Sequence, residues 1–393
     1  MPGDSFIRRS ERGECVLLSG ATGFVGMEIL GLYLERTDRH ICCLVRAESQ
    51  EDADGRARAA VRLLFGDEDA FAGRISAIRG DIERPGLGLE PADRDSLAAT
   101  VSDIVHCAAS VSFSLPLDRS REINVDGTRQ MLDFGVECES RGGLGHFAYV
   151  STAYVAGTHE GVFNEDDLNV GQDFRNPYER SKFEAEQLVR SYSDRLPIQV
   201  FRPSIIVGEH SSGWTMSFNV LYSPLKAFSR GALPAIPAKR GAPVDVVPVD
   251  YVADAVFEVA NRPAHTGAET YHLVAGPQAT TVGRLIEMSA TRLGRREPVM
   301  IPPRVYSLLQ PLLMRMTGAR RRRAIERMRV FFPYFSSRVR YGNGLTKERL
   351  GTEAPPVEGY YDRLIDFAGH ADWGRTQPTR RGHRQKAGTA GDR

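Results

Sequence analysis

Ser19-Gly20-Ala21-Thr22-Gly23-Phe24-Val25-Gly26 follows the apolar run Cys15-Val16-Leu17-Leu18 and precedes a helical pattern over Met27–Glu35. Strand, glycine turn and helix start come in the order that a pyrophosphate site needs. Glycine at 20 permits a tight turn out of the strand. Glycine at 23 lets the backbone approach the phosphates, and glycine at 26 lets the helix pack close to the sheet. The helix N-terminus then offers unpaired N–H groups and the positive end of its dipole to an anion. The spacing is G-x-x-G-x-x-G, and its context between strand and helix points to a bound dinucleotide.

Outward from this turn, short apolar segments alternate with helical patterns for about 200 residues. Strands are expected at 41–45, 75–79, 104–107, 147–150 and 198–201, with helices at 56–65, 124–139 and 177–192. Such alternation implies an α/β chain: a Rossmann-type doubly wound parallel sheet with helices on both faces. Past Gly208 the pattern loosens. A strand at 244–249 and a helix at 252–261 capped by Asp250 suggest a return to the main sheet, followed by a strand at 271–275 and a mainly helical remainder. The expected organisation is a flexible arm (1–13), a dinucleotide-binding domain (14–208 plus 242–275), a smaller substrate or lid region (209–241 plus 276–375) and a disordered basic tail (376–393).

The 393 residues carry a formal net charge of +1, with 41% apolar and 26% charged side chains. That balance is ordinary for a globular protein and gives no sign of nucleic-acid binding. The five cysteines have no metal-type spacing, fit a reduced core and suggest a cytoplasmic setting. Cys42 and Cys43 are adjacent, so on a strand they should face opposite sides. The first residues lack an apolar signal core, and no apolar run is long enough for a spanning helix.

Tyr178-Glu179-Arg180-Ser181-Lys182 places a phenol and an ammonium four residues apart, on one face of a helix. An ammonium beside a phenol is expected to favour the phenolate and lower its pKa, and the same lysine can reach a ribose. Ser151-Thr152 follows the fifth strand, where a hydroxyl could hold a carbonyl oxygen. Asn124 stands at a helix start, as a further site residue or as an ordinary N-cap. Arg202-Pro203-Ser204 follows the sixth strand and could wall a nicotinamide. The second strand ends Leu44-Val45-Arg46 with no acid before Glu48, so Arg46 suits a 2′-phosphate and favours NADPH over NADH.

Together these segments resemble the extended branch of the short-chain dehydrogenase/reductase family. The resemblance also runs through Gly80-Asp81-Ile82, His106-Cys107-Ala108-Ala109 and Asn124-Val125-Asp126-Gly127-Thr128, in family order over residues 14–275. It implies that Tyr178 is the general acid/base, with Lys182 its tuner and ribose contact. The catalytic hydroxyl is then Thr152, five residues before Gly157, with Ser151 as second candidate and Asn124 completing the set. The implied cofactor-binding residues are Gly20, Thr22, Gly23, Phe24, Val25, Gly26, Arg46, Asp81, Ile82, Ala108, Ala109, Lys182, Pro203 and Ser204. His106 reads as structural.

Arg79-Gly80-Asp81-Ile82-Glu83-Arg84-Pro85 and Ala108-Ala109-Ser110-Val111-Ser112-Phe113 are similar to the male-sterility-type branch, which holds thioester reductases and fatty acyl-CoA reductases. Phe331-Phe332-Pro333-Tyr334-Phe335 is loosely similar to the end of the latter. The resemblance implies NADPH-dependent reduction of a CoA- or carrier-bound acyl thioester to an aldehyde, with onward reduction to an alcohol left open, and a homodimer built through the Asn124 and Tyr178 helices. The competing readings are a ketone or alcohol dehydrogenase of the hydroxysteroid or flavonol-reductase type, a nucleotide-sugar epimerase or dehydratase, and a non-enzymatic dinucleotide sensor. Residues 304–335 mix arginines with Leu, Met and Phe. They suit peripheral contact with an anionic membrane, an acidic carrier or CoA phosphates, or else a helical lid.

Overall fold

The computed structural model describes residues 15–218, 220–263, 267–308, 322, 326 and 329–391. Seven strands form its central sheet: β1 (Cys15–Ser19), β2 (His40–Val45), β3 (Ile75–Arg79), β4 (Val101–His106), β5 (His146–Val150), β6 (Ile198–Pro203) and β7 (Ala268–Leu273). Their order is β7-β6-β5-β4-β1-β2-β3, and every neighbouring pair is parallel. The order reverses between β1 and β4, which opens a crevice at the carboxyl ends of those strands.

All five residues of β1 are buried, because both faces of the sheet are covered. Val16 and Leu18 pack under helices α1 (Phe24–Arg36), α2 (Gln50–Phe65) and α5 (Val249–Ala260). Cys15 and Leu17 pack under α3 (Gly127–Gly142) and α4 (Pro177–Arg190). Cys43 joins the first core and Cys42 the second, as strand alternation requires. Local signals set the helix ends. Ser49 accepts a hydrogen bond from Asp52 N at the start of α2, and Gly66 closes that helix in the left-handed region at φ 82°. Asn176 caps α4 by accepting from Glu179 N, with Pro177 in the first turn. This start puts Tyr178 at the mouth of α4 and Lys182 one turn inside.

Three expectations are corrected. Val246–Pro248 does not rejoin the central sheet. It pairs with Ile205–Val207, where the chain continues past the end of β6, as a separate parallel ribbon. Asp250 does not cap α5, which already begins at Val249. Its carboxylate instead accepts from His210 N at 3.0 and 3.1 Å. The segment expected to be a disordered tail forms helix α6 (Arg380–Gly391). Arg380 is almost fully buried there, donating to Glu28 at 2.7 Å and Glu35 at 2.9 Å on α1, while Arg384 donates to Glu209 at 2.6 Å. Complementary acids on distant elements hold a segment whose own composition carries no core signal. The arm at 1–13 and most of 309–328 lie outside the described residues, and with them Arg315 and most of the Arg320–Arg323 run. Among the described residues no helix is long and apolar enough to cross a membrane.

Candidate active site

The turn after β1 is shaped for close backbone approach. Gly20 has φ 78°, and a Cβ there would meet Ala108 N at 2.8 Å and the Cys107 carbonyl carbon at 2.9 Å. A Cβ on Gly26 would strike the Gly20 carbonyl. Gly23 N donates to Gly20 O at 2.8 Å and closes the turn, and α1 has no acidic residue in its first turn. The helix N-terminus therefore faces the crevice without a competing negative charge.

A cleft of about 710 Å³ opens over this turn. Gly20, Gly23, Phe24, Val25 and Gly26 form one side, and Ala109, Pro203 and Ser204 line it further on. Thr152, Tyr178 and Lys182 face it from the β5 and α4 side. Thr22, Arg46, Asp81, Ile82, Ala108 and Asn124 are not among its lining residues. Arg46 is largely exposed at the end of β2 and pairs with Glu83 at 2.9 Å. Asp81 takes the Glu83 N–H at 3.0 Å, and Ile82 packs against Gly127. The missing side chains at 20, 23 and 26, the unopposed helix start and the volume of the cleft all fit a dinucleotide.

Tyr178 and Thr152 both face the cleft, and the Thr152 hydroxyl lies close enough to the phenol to favour its ionised form. Burial pushes the Tyr178 phenol up to about 12, and the Thr152 contact offsets only part of that rise. The expected lowering by the neighbouring lysine is not found. Lys182 turns its Nζ to Tyr149 Oη at 2.7 Å and to the Val150 carbonyl at 2.9 Å. Burial pushes Lys182 itself down to about 7. The phenol is thus held protonated, beside a lysine whose ammonium is destabilised by burial.

Ser151 and Thr152 have separate fates. Ser151 lines the cleft as well, but its hydroxyl donates to Glu186 at 2.6 Å, and Glu186 in turn binds the fully buried Arg202 at 2.6 Å. Arg202 also donates to His272 and to the Asp167 carbonyl, so it braces the back of β6 while Pro203 and Ser204 face the cleft. Asn124 is not an N-cap. It sits in a π-turn (Glu122–Asp126) that runs straight into α3. There it accepts from Ser110 N at 2.8 Å and donates to Ser181 Oγ at 2.9 Å, which ties the Ser110 loop to α4 between Tyr178 and Lys182. His106 is structural, as expected. It bridges Ser19 at 2.7 Å and Thr128 at 3.1 Å, and burial pushes it down to about 3.

An aromatic group that sequence reasoning had given no site role closes the cleft. Phe113 stacks between Tyr178 at 5.4 Å and Tyr334 at 5.5 Å, with Phe331 at 5.9 Å. The Tyr334 hydroxyl donates to Glu179 at 2.6 Å and accepts from Asn176 at 2.7 Å. The turn Arg329–Ser336 is thereby fastened to the first turn of α4. The Phe331–Phe335 motif was the available signal for it.

A family model described as the male sterility protein, an NAD-binding family, matches residues 18–256. The isonitrile lipopeptide synthase of Streptomyces coeruleorubidus is 33% identical over 264 residues, which are 66% of this chain and 17% of that protein, so the chain spans only a small part of that relative. Fatty acyl-CoA reductase 1 of Homo sapiens is 25% identical over 390 residues, covering 83% of this chain and 75% of that protein. Among solved structures, the terminal R domain from the myxalamid PKS-NRPS biosynthetic pathway is similar with a TM-score of 0.78 and 28% identity over 94% of each chain. The glycine turn, the Tyr178–Lys182 helix and these likenesses agree, and the chain belongs to the male sterility NAD-binding family of extended short-chain dehydrogenases/reductases.

Proposed function

We propose that this protein reduces the carbonyl of an acyl thioester with NADPH. The observation that carries the reading is the meeting of Thr152 and the protonated Tyr178 phenol where the glycine-turn cleft adjoins an apolar chamber behind Ile205 and Phe331. The bound dinucleotide supplies the hydride. Thr152 donates a hydrogen bond to the oxygen on which negative charge develops, and Tyr178 delivers the proton. Lys182 holds the ribose and steadies the phenolate left behind, its ammonium oriented by Tyr149 and Val150. Loss of thiol from the hemithioacetal gives the aldehyde, and a second reduction at the same site gives the alcohol. Phe113, Phe331 and Tyr334 keep water from the reacting carbon.

Arg46 supports NADPH over NADH, because its guanidinium stands exposed at the end of β2 where a 2′-phosphate would lie. The likeness to an R domain favours an acyl group presented on a carrier protein, and the likeness to a fatty acyl-CoA reductase favours CoA. The described part of the basic stretch at 304–335 leaves peripheral membrane contact as a property to be read by flotation with anionic liposomes.

The test is NADPH oxidation with octanoyl-CoA and octanoyl-carrier protein, set against a steroid ketone and a nucleotide sugar. Only the thioesters should be turned over. Tyr178→Phe should lower kcat by about 10²–10⁴-fold while the NADPH dissociation constant stays within about twofold. Equal loss of turnover and of NADPH binding removes the assigned role.

A further inference from the structure

The reductase reading leaves one set of buried polar groups without a task. Behind the cleft lies a chamber of about 130 Å³, lined mainly by apolar side chains such as Leu225, Phe228 and Ile236. Tyr154, Ser204, Ile205, Val220 and Phe331 line both spaces, so the chamber is the continuation of the site beyond the reacting carbonyl. Among the polar side chains that line it, Ser289 and Tyr361 hydrogen-bond each other, Tyr334 and Ser337 are bonded to Glu179, Asn176 and Arg175, and Arg340 is exposed, which leaves Ser204, Asp245, Tyr154 and Tyr341.

Their bonding is incomplete. Ser204 is 7% exposed, and its hydroxyl lies beside the Asp245 carboxyl without a hydrogen bond of good geometry. Tyr341 is 6% exposed, and neither its hydroxyl nor that of Tyr154 is hydrogen-bonded to a described residue. Asp245 takes one backbone N–H on each oxygen, from Ala275 and Gly276 at 2.8 Å, which leaves further lone pairs free. Its carboxylate is close enough to both phenols to raise them further. A plain alkyl chain filling this chamber would leave three hydroxyls and a carboxylate facing hydrocarbon. Buried polar groups are very rarely left so.

We propose that Ser204, Asp245, Tyr154 and Tyr341 form a recognition subsite for an uncharged group on the acyl chain that both donates and accepts hydrogen bonds, an amide or a hydroxyl. Asp245 accepts from the group's N–H or O–H, and the hydroxyls donate to its oxygen. The inference rests on the thioester-reductase reading and narrows its substrate class.

The experiment compares kcat/KM for octanoyl-CoA, 3-hydroxyoctanoyl-CoA and N-pentanoylglycyl-CoA, which are matched in chain length, in the wild-type protein, Tyr341→Phe and Ser204→Ala. A site built to bond a polar group discriminates against the analogue that lacks it. The hydroxyl- or amide-bearing thioester should be preferred at least tenfold by the wild type, and each variant should cut that ratio at least threefold. A lesion that is merely structural lowers all three substrates together and leaves the ratio unchanged, which counts against the subsite. Turnover of all three without preference overturns the subsite alone. No NADPH oxidation with any thioester overturns the reductase reading and the subsite with it.

Discussion

Replacing Arg380 by alanine removes the cation that holds α6 on α1. The side chain is 3% exposed and binds Glu28 at 2.7 Å and Glu35 at 2.9 Å, with Glu209 at 3.8 Å. Glu209 keeps Arg384 at 2.6 Å, so the group left without a partner is Glu28, itself 3% exposed. Breaking a buried pair by deleting one partner costs about 3–5 kcal/mol, because the other charge stays buried. Burial already pushes the Glu28 carboxyl from 4.5 up to about 7 against the pull of Arg380, and losing that pull raises it further. A carboxyl held higher in the folded chain than in the unfolded one takes up a proton on folding. Its contribution is therefore most favourable below about pH 4.5 and is lost as pH rises through about 7. At pH 5.5 Glu28 is mostly neutral, and Arg380→Ala should cost only the lost hydrogen bonds, about 1–2 kcal/mol. At pH 8.5 the full 3–5 kcal/mol is expected. Urea unfolding followed by fluorescence at the two pH values measures both, and Arg380→Ala/Glu28→Gln should recover most of the loss at pH 8.5. A loss below about 1 kcal/mol at pH 8.5, or an equal loss at both pH values, would refute the reasoning.

Gly26→Ala places a methyl group against the Gly20 carbonyl, so the turn must open. NADPH affinity by fluorescence titration should fall more than about tenfold while far-UV circular dichroism is retained. Arg46→Ala should raise KM for NADPH about tenfold and leave KM for NADH nearly unchanged, since only the former carries the phosphate that a guanidinium would meet. Lys182 is held down to about 7, so its ammonium is present below that pH and lost above it. The kcat/KM for NADPH should therefore decline as pH rises through about 7, and a profile flat to pH 9 would remove Lys182 from cofactor binding.

The central sheet was legible because its signal is local. Each strand is a short apolar run between breakers, and the adjacent Cys42 and Cys43 divide between two cores as alternation demands. The glycine turn and the Tyr178–Lys182 pair were legible for the same reason, being spacings within a single element. What escaped depends on partners far along the chain. Nothing in the composition of residues 376–393 announces that Arg380 and Arg384 meet acids on α1 and at Glu209. The diversion of Ser151 needs Glu186, and that of Arg202 needs Glu186 and His272. The sign of the Tyr178 shift was misjudged because spacing tells which side chains share a helix face but not how far both are withdrawn from water. The π-turn at Asn124 adds one residue to a helical turn and leaves no trace in hydrophobic periodicity.

With Tyr178 as the proton donor proposed above, the Tyr334 contacts link it to occupancy of the inner chamber. Glu179, the acceptor of the Tyr334 hydroxyl, is the residue after Tyr178, and Asn176, which also bonds Tyr334, caps the same helical turn. Tyr334 and Phe331 both border the inner chamber. A ligand tail that shifts them should pull on the backbone carrying the phenol, and the fit of the far end of the molecule should then bear on the aim of the proposed acid at the near end. Discrimination among chain shapes should accordingly appear in turnover number and not in binding strength alone.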